Sequence, residues 1–191
     1  VFLEFDGVMS AGRIHLNDEL IAEHLGGFRP FSVDITKALL AGVNVLTIYV
    51  DSRERKEFPP YGHLVDYLTF GGIYRDVHLT RVQTSHIQKV YIITSNVLSA
   101  PALSCEVSMD GFTPGLTLKA TLIDPGGDEI ASLSTMVASD TQELTFETLP
   151  AVNLWSLDQP VVYKLRLSLI RDSLLLDETN TLFGFREAHF L

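Results

Sequence analysis

The residues Tyr163-Lys-Leu-Arg-Leu-Ser-Leu169 alternate strictly between apolar and polar side chains. Successive side chains of a strand point to opposite faces, so this period of two makes one wet face and one buried face. The same period runs through Leu116, Leu118, Ala120 and Leu122, with Thr117, Lys119 and Thr121 between them. Further runs at 31–35, 86–93, 103–109, 130–137 and 144–146 also read as strands. The longest helical signal is Lys37-Ala-Leu-Leu-Ala41, which Asp34-Ile-Thr36 can cap and Gly42 ends. The chain is therefore predicted to be all-β.

Punctuation between the runs sharpens this. Asn17-Asp18 separates Arg13–Leu16 from Glu19–His24 and predicts a hairpin, since Asn and Asp tolerate left-handed φ. Val43–Val50 is almost continuously apolar and reads as a strand buried on both faces. Strand signals resume at Ile73–Val77, and Asp124-Pro-Gly-Gly-Asp128 is a turn by composition. About seven short strands follow residue 88, the size and spacing of an immunoglobulin-like sandwich. Residues 1–84 hold five or six strands, fewer than the roughly eight of a jelly roll. Two domains are expected, a partial jelly-roll β-sandwich at 1–86 and an immunoglobulin-like sandwich at 87–191. The chain opens in strand without an initiator Met, so missing strands are expected upstream of Val1.

Composition narrows the partners. Fourteen basic against twenty-four acidic residues give a net charge of −10, which disfavours nucleic acid and anionic membrane. No apolar run approaches the roughly 18–20 residues that span a bilayer. A single cysteine, Cys105, excludes an internal disulfide; alternating with Leu103, Val107 and Met109, it reads as a core thiol. The six histidines show no HxxxH or HxH spacing, so a metal site built on them is not expected.

One segment breaks the period. From Asp51 to Gly72 run 22 residues with a charge cluster, Pro59-Pro60 and four aromatics, Phe58, Tyr61, Tyr67 and Phe70. Loops this long inside compact domains tend to be functional or disordered. The aromatics favour an ordered surface loop. Asp66 stands among them, and a carboxylate beside aromatic faces is what a sugar site uses: charge-assisted hydrogen bonds to hydroxyls and apolar cover for C–H patches. A solvated loop acid is the competing reading. Gly71-Gly72 reads as a sharp turn into the next strand. Arg75 and Asp76 are expected on opposite faces of that strand, with Arg75 anchoring the loop. The paired carboxyls of a retaining glycosidase are not visible: Asp51 and Glu54 fall in a polar run and Asp177-Glu178 in a turn-like stretch. GxSxG, P-loop and GxGxxG motifs are absent.

Five ordered segments carry a resemblance: GRIHLNDELIAEHLGGFRPFSVDIT, GVNVLTIYVDS, PPYGHLVDYLTFGGIYRDVHL, NLWSLDQPVVYKLRLSL and FGFREAHF. In this order they resemble family 2 glycoside hydrolases, the group of β-galactosidases, β-glucuronidases and β-mannosidases. The resemblance implies a sugar-binding jelly roll, an immunoglobulin-like sandwich and then a (β/α)₈ barrel holding both catalytic glutamates. No catalytic residue is expected in these 191 residues, and the parent is expected to be a retaining β-galactosidase. It also implies that Asp66 reaches into the barrel and binds the sugar, with the adjacent aromatic Tyr67 expected to contact it too, and that Gly184-Phe185-Arg186 leads out of the sandwich. Trp155 reads as a core or interdomain anchor, and Arg186 as a pairing group at the domain junction. The implied partners are a β-linked saccharide, the chain's own C-terminal barrel and further copies of the enzyme. No organic cofactor is implied; the parent admits a Na⁺ or Mg²⁺ ion, and a cytoplasmic location is expected. The alternatives are a stand-alone carbohydrate-binding or scaffold module, or a parent that is a β-glucuronidase or β-mannosidase.

Overall fold

The computed structural model describes all residues except 58, 60, 63–68 and 188–191. Fifteen strands follow one another: β1 (Phe2–Phe5), β2 (Val8–Met9), β3 (Ala11–Leu16), β4 (Glu19–Leu25), β5 (Phe31–Asp34), β6 (Leu46–Asp51), β7 (Gly72–Ile73), β8 (Val77–Thr80), β9 (His86–Ser95), β10 (Ala102–Asp110), β11 (Thr117–Ile123), β12 (Glu129–Met136), β13 (Thr141–Phe146), β14 (Tyr163–Arg171) and β15 (Leu174–Phe183). No helix occurs among the described residues. None is therefore long and apolar enough to cross a membrane. The chain divides into two compact units, Val1–Arg81 and Val82–Leu191.

The first unit holds the sheets β5-β1-β8 and β4-β3-β6 and the short ladder β2-β7. Alternation decides what faces in. Leu3 and Phe5 of β1, Ile14 and Leu16 of β3, and Val33 of β5 share one core with Val8 and Ile35. Phe31 packs flat between Phe5 and His24, at centroid distances of 4.7 and 3.8 Å. The hairpin β3–β4 turns on Asn17 and Asp18, both at positive φ (52° and 68°). Asn17 does more than turn the chain. Its amide donates to the Ala38 carbonyl and the Asn44 side chain, and its carbonyl oxygen accepts from the Val45 N–H, fixing the connection from β5 to β6.

Four expectations change here. The capped segment after Asp34 is a hydrogen-bonded turn rather than a helix; the Asp34 carboxylate accepts from the backbone and hydroxyl of Thr36. The strand near 43–50 begins only at Leu46, and Val43 and Val45 ahead of it are exposed. β6 is an edge strand whose Tyr49 face is open, so its apolar run does not mark burial on both sides. The strand expected at 73–77 is interrupted at residues 74–76, which join β7 to β8. Eight strand segments, not five or six, make up this unit because pairs as short as β2 and β7 leave no periodic signal.

The second unit is a seven-stranded sandwich of sheets β13-β10-β9 and β12-β11-β14-β15, every neighbouring pair antiparallel. Its architecture is the immunoglobulin-like one that the strand count and spacing predict. Leu103, Cys105, Val107 and Met109 of β10 face Leu118, Ala120 and Leu122 of β11 and Leu165, Leu167 and Leu169 of β14 within one core. The Cys105 thiol is fully buried, and burial, aided by the nearby Glu143 charge, pushes its pKa up to about 11. At neutral pH it is an inert thiol. Asp177 and Glu178, read as a turn, lie in the middle of β15. The true turn is Asp172-Ser173, both at positive φ, which closes the β14–β15 hairpin.

Candidate functional site

The aperiodic loop leaves β6 at Asp51 and returns at β7. Its two ends are clamped together by polar groups. The Ser52 hydroxyl donates to the Met9 carbonyl and accepts from the Gly72 N–H, both at 2.9 Å. Because Met9 is also the partner of Gly72 in the β2–β7 ladder, one serine ties the exit and the return of the loop to the same strand. The paired glycines have different tasks. Gly72 takes φ +88°, where a side chain is strained, whereas a Cβ on Gly71 would come within 2.7 Å of the Ser52 hydroxyl oxygen.

Asp51 sets the electrostatics of this root. Its carboxylate accepts from the Arg53 backbone and Nε, from Arg53 Nη2 and from Arg55 Nη2, at 2.8–3.1 Å. These bonds, led by the Arg53 side chain, hold its carboxyl well below the usual carboxylate range. A depressed folded-state pKa contributes stability that is complete above the ordinary range and is lost as pH falls toward the folded value. Asp51→Asn is therefore expected to lower the urea midpoint at pH 7 and to differ much less from the parent chain only near about pH 1.5, well below the ordinary carboxylate range and approaching the folded value. An equal deficit at both pH values would show that the charge is not what matters. Farther along, the Gly62 N–H donates to the Glu54 carboxylate. Tyr61 and Phe70 are exposed, so the described part of the loop is organised by these polar bonds and not by its aromatics.

Asp66 and Tyr67, the residues expected to touch sugar, lie outside the described residues. The groups that hold the loop, Ser52, Asp51 and Glu54, were read from sequence only as a charge run. A serine one residue past a strand and facing a glycine pair is the signal that was there to find. Arg75 sits beside its own neighbour, 5.3 Å from the centre of the Tyr74 ring, and the Tyr74 hydroxyl donates to the Gly27 carbonyl at 2.7 Å. Among the described residues, Tyr74 thus provides an anchor beside Arg75. Outward from β3, β4 and β6, a groove of ≈ 580 Å³ is lined by Arg13, Glu23, Leu25, Tyr49, Asp51 and Arg55, among others. Arg13 and Glu23 form an exposed ion pair at its rim.

In the second unit, Trp155, Gly184 and Arg186 do come together. The Trp155 N–H of the backbone donates to the Phe185 carbonyl at 2.8 Å, next to a parallel bridge between Leu154 and Phe185. Gly184 lies so close that a Cβ there would meet Trp155 Cβ at 2.7 Å. The Arg186 guanidinium stands 5.2 Å from the Trp155 ring centre, a cation–π contact. These three residues with Ile92, Thr94 and Phe183 line an open groove of ≈ 480 Å³. Trp155 is therefore a half-buried wall of a surface groove and not part of the sandwich core. Behind it, the Asn153 N–H donates to the Tyr163 hydroxyl, securing the strandless approach to β14.

Comparison with known proteins aligns with this division. The model of the sugar binding domain of glycosyl hydrolases family 2 matches residues 1–83, and the model described as glycosyl hydrolases family 2 matches residues 85–186. A β-galactosidase of Thermoanaerobacter pseudethanolicus is 31% identical over 198 residues, covering 100% of this chain and 26% of the relative. A β-glucuronidase of Bacteroides fragilis is 28% identical over 204 residues, covering 99% of this chain and 29% of its own. The crystal structure of a Bacteroides uniformis β-glucuronidase superposes with a TM-score of 0.86 at 28% identity, over 97% of this chain and 24% of that one. The chain thus spans about a quarter of the length of the curated relatives it matches.

Proposed function

The chain belongs to the family 2 glycosyl hydrolases, and from that membership we propose that it forms the non-catalytic N-terminal part of a retaining, exo-acting β-glycosidase. In this reading the parent is a β-galactosidase. The observation that carries it is coverage: two family models tile 185 of 191 residues, counting 83 and 102, while the relatives extend to roughly four times this length. The two carboxyl groups of a retaining mechanism, about 5–5.5 Å apart, then belong to a barrel beyond these two units. The first unit supplies the loop rooted at Asp51, Ser52 and Gly72, which carries Asp66 and Tyr67 to the sugar. Hydrogen bonds from sugar hydroxyls to a carboxylate orient the ring, and Tyr67 covers its apolar face. The second unit's Trp155–Arg186 groove is the seat against which the barrel docks. The parent works as a homo-oligomer, and any Na⁺ or Mg²⁺ it holds lies with the barrel and Asp66.

A β-glucuronidase parent is the second reading, favoured by the relatives of that name at 28% identity. Assay of the whole protein with nitrophenyl β-galactoside and β-glucuronide separates the two. The 191-residue chain alone is expected to hydrolyse neither and to bind free galactose at best in the millimolar range, because its loop completes another domain's pocket. Saturable micromolar binding of galactose by the chain alone would instead make it a stand-alone carbohydrate-binding module.

A further inference from the structure

We propose that Asp6, Asp76 and His78, on the outer face of the sheet β5-β1-β8, form a binding site for a divalent transition-metal ion of the Zn²⁺ type. The site follows from strand register. Phe5 pairs with Val77 and Glu4 with His78 in the antiparallel β1–β8 ladder. One step past the strand end, the Asp6 N–H donates to the Asp76 carbonyl at 3.0 Å, so these two residues stand opposite each other. Residues opposite in register share a face, and those two apart along a strand share it too. Asp6, Asp76 and His78 consequently project from the same side, and one ligand atom from each lies within 4.8 Å of the others.

Two carboxylates directly opposite each other repel, and this costs stability unless a positive group lies between them. Among the described residues no lysine or arginine is ion-paired with either one; the side chain that faces them is His78, whose Nε2 lies 3.4 Å from Asp6 Oδ2. That distance is long for a hydrogen bond between these groups. It does match two donors of a single ion, since ligands held at about 2.0–2.1 Å in tetrahedral geometry are roughly 3.4 Å apart. Glu4, opposite His78 in the ladder, lines the same shallow hollow with Asp6, Phe31 and Ser32 and adds negative charge to it. Its own carboxylate accepts a hydrogen bond from the Thr80 hydroxyl, which leaves Asp6, Asp76 and His78 as the ligand set.

The donor set selects the ion. Imidazole with carboxylates suits Zn²⁺ and its first-row neighbours, whereas Mg²⁺ and Ca²⁺ favour all-oxygen shells. Three protein ligands leave at least one position for water. The ligands sit on or beside paired strands of the first unit, and the ladder, not a loop, sets their spacing.

Calorimetric titration of the 191-residue chain with ZnCl₂ in a non-chelating buffer tests this. One saturable site is expected, weakened roughly tenfold or more in His78→Ala and in Asp76→Asn. His78→Gln and Asp6→Asn guard against a variant that fails to fold, with circular dichroism confirming strand content. The chain should also melt at higher temperature with Zn²⁺ present, and His78→Ala should lose that shift. Absence of saturable Zn²⁺ binding overturns the proposal, as does equal affinity in the folded variants. MgCl₂ binding as tightly as Zn²⁺ and indifferent to His78 would overturn the assignment to a transition metal.

Discussion

On the role proposed for it, replacing Asp66 with alanine in the full-length parent is expected to lower kcat/KM for glycoside hydrolysis roughly 10–150-fold. A hydrogen bond to a charged acceptor contributes about 1.5–3 kcal/mol, and each 1.36 kcal/mol is about tenfold in rate. If the bond strengthens as the sugar flattens toward its transition state, the loss falls on kcat; if it only holds the ground state, KM alone rises. Asp66→Asn keeps the shape and removes the charge, so it should recover little. The loop around Asp66 is tied at its root by Ser52 and Gly72, and strand content should be unchanged in either variant. Activity within about twofold of the unmodified enzyme would remove Asp66 from the sugar site.

Phe185→Ala should unfold the second unit far more easily, by about 3–5 kcal/mol in urea denaturation. Phe185 is fully buried and meets Tyr163 and Phe183 edge-on, at centroid distances of 5.0 and 5.2 Å. Its truncation removes both aromatic contacts and leaves a cavity where the end of β15 closes the sandwich. Total stabilities of about 5–15 kcal/mol make such a loss a large fraction of the whole. The damage should also reach the surface, because the Phe185 backbone holds Trp155, and Gly184 and Arg186 flank it on either side. Phe185→Leu retains most of the volume and should recover most of the stability. A loss below about 1 kcal/mol for the alanine variant would mean that this end of the unit is not packed as described.

How much of this was legible in the sequence depended on the length of each signal. β10, β11 and β14 run for seven to nine residues with one face in the core, and alternation alone located them. β15 was missed although it is ten residues long. It begins with three consecutive leucines, Leu174 to Leu176, and carries Asp177 and Glu178 in its centre, so its pattern imitates a turn. The Asp177 carboxylate in fact accepts from the Ile87 N–H, and that of Glu178 from the Ser168 hydroxyl. Side chains bonded to distant backbone leave no local trace. The same holds at the loop root, where Ser52 meets Met9, 43 residues away in sequence. Asn17 was read for its φ, but its three bonds to residues 38, 44 and 45 could not be. In the candidate metal cluster, Asp6 and His78 are 72 residues apart, so no spacing rule along the chain could pair them.

The hairpin at Asp172-Ser173 has a consequence for how this protein can change over time. Both of its turn residues carry side chains in the left-handed region, a conformation that costs an L-residue on the order of 1 kcal/mol and that glycine adopts without steric strain, at the expense of more backbone freedom lost on folding. Ser173→Gly is therefore a one-residue route to a more stable hairpin that touches neither core, loop root nor groove. Asn17 offers no such freedom, since its side chain is already committed to three partners.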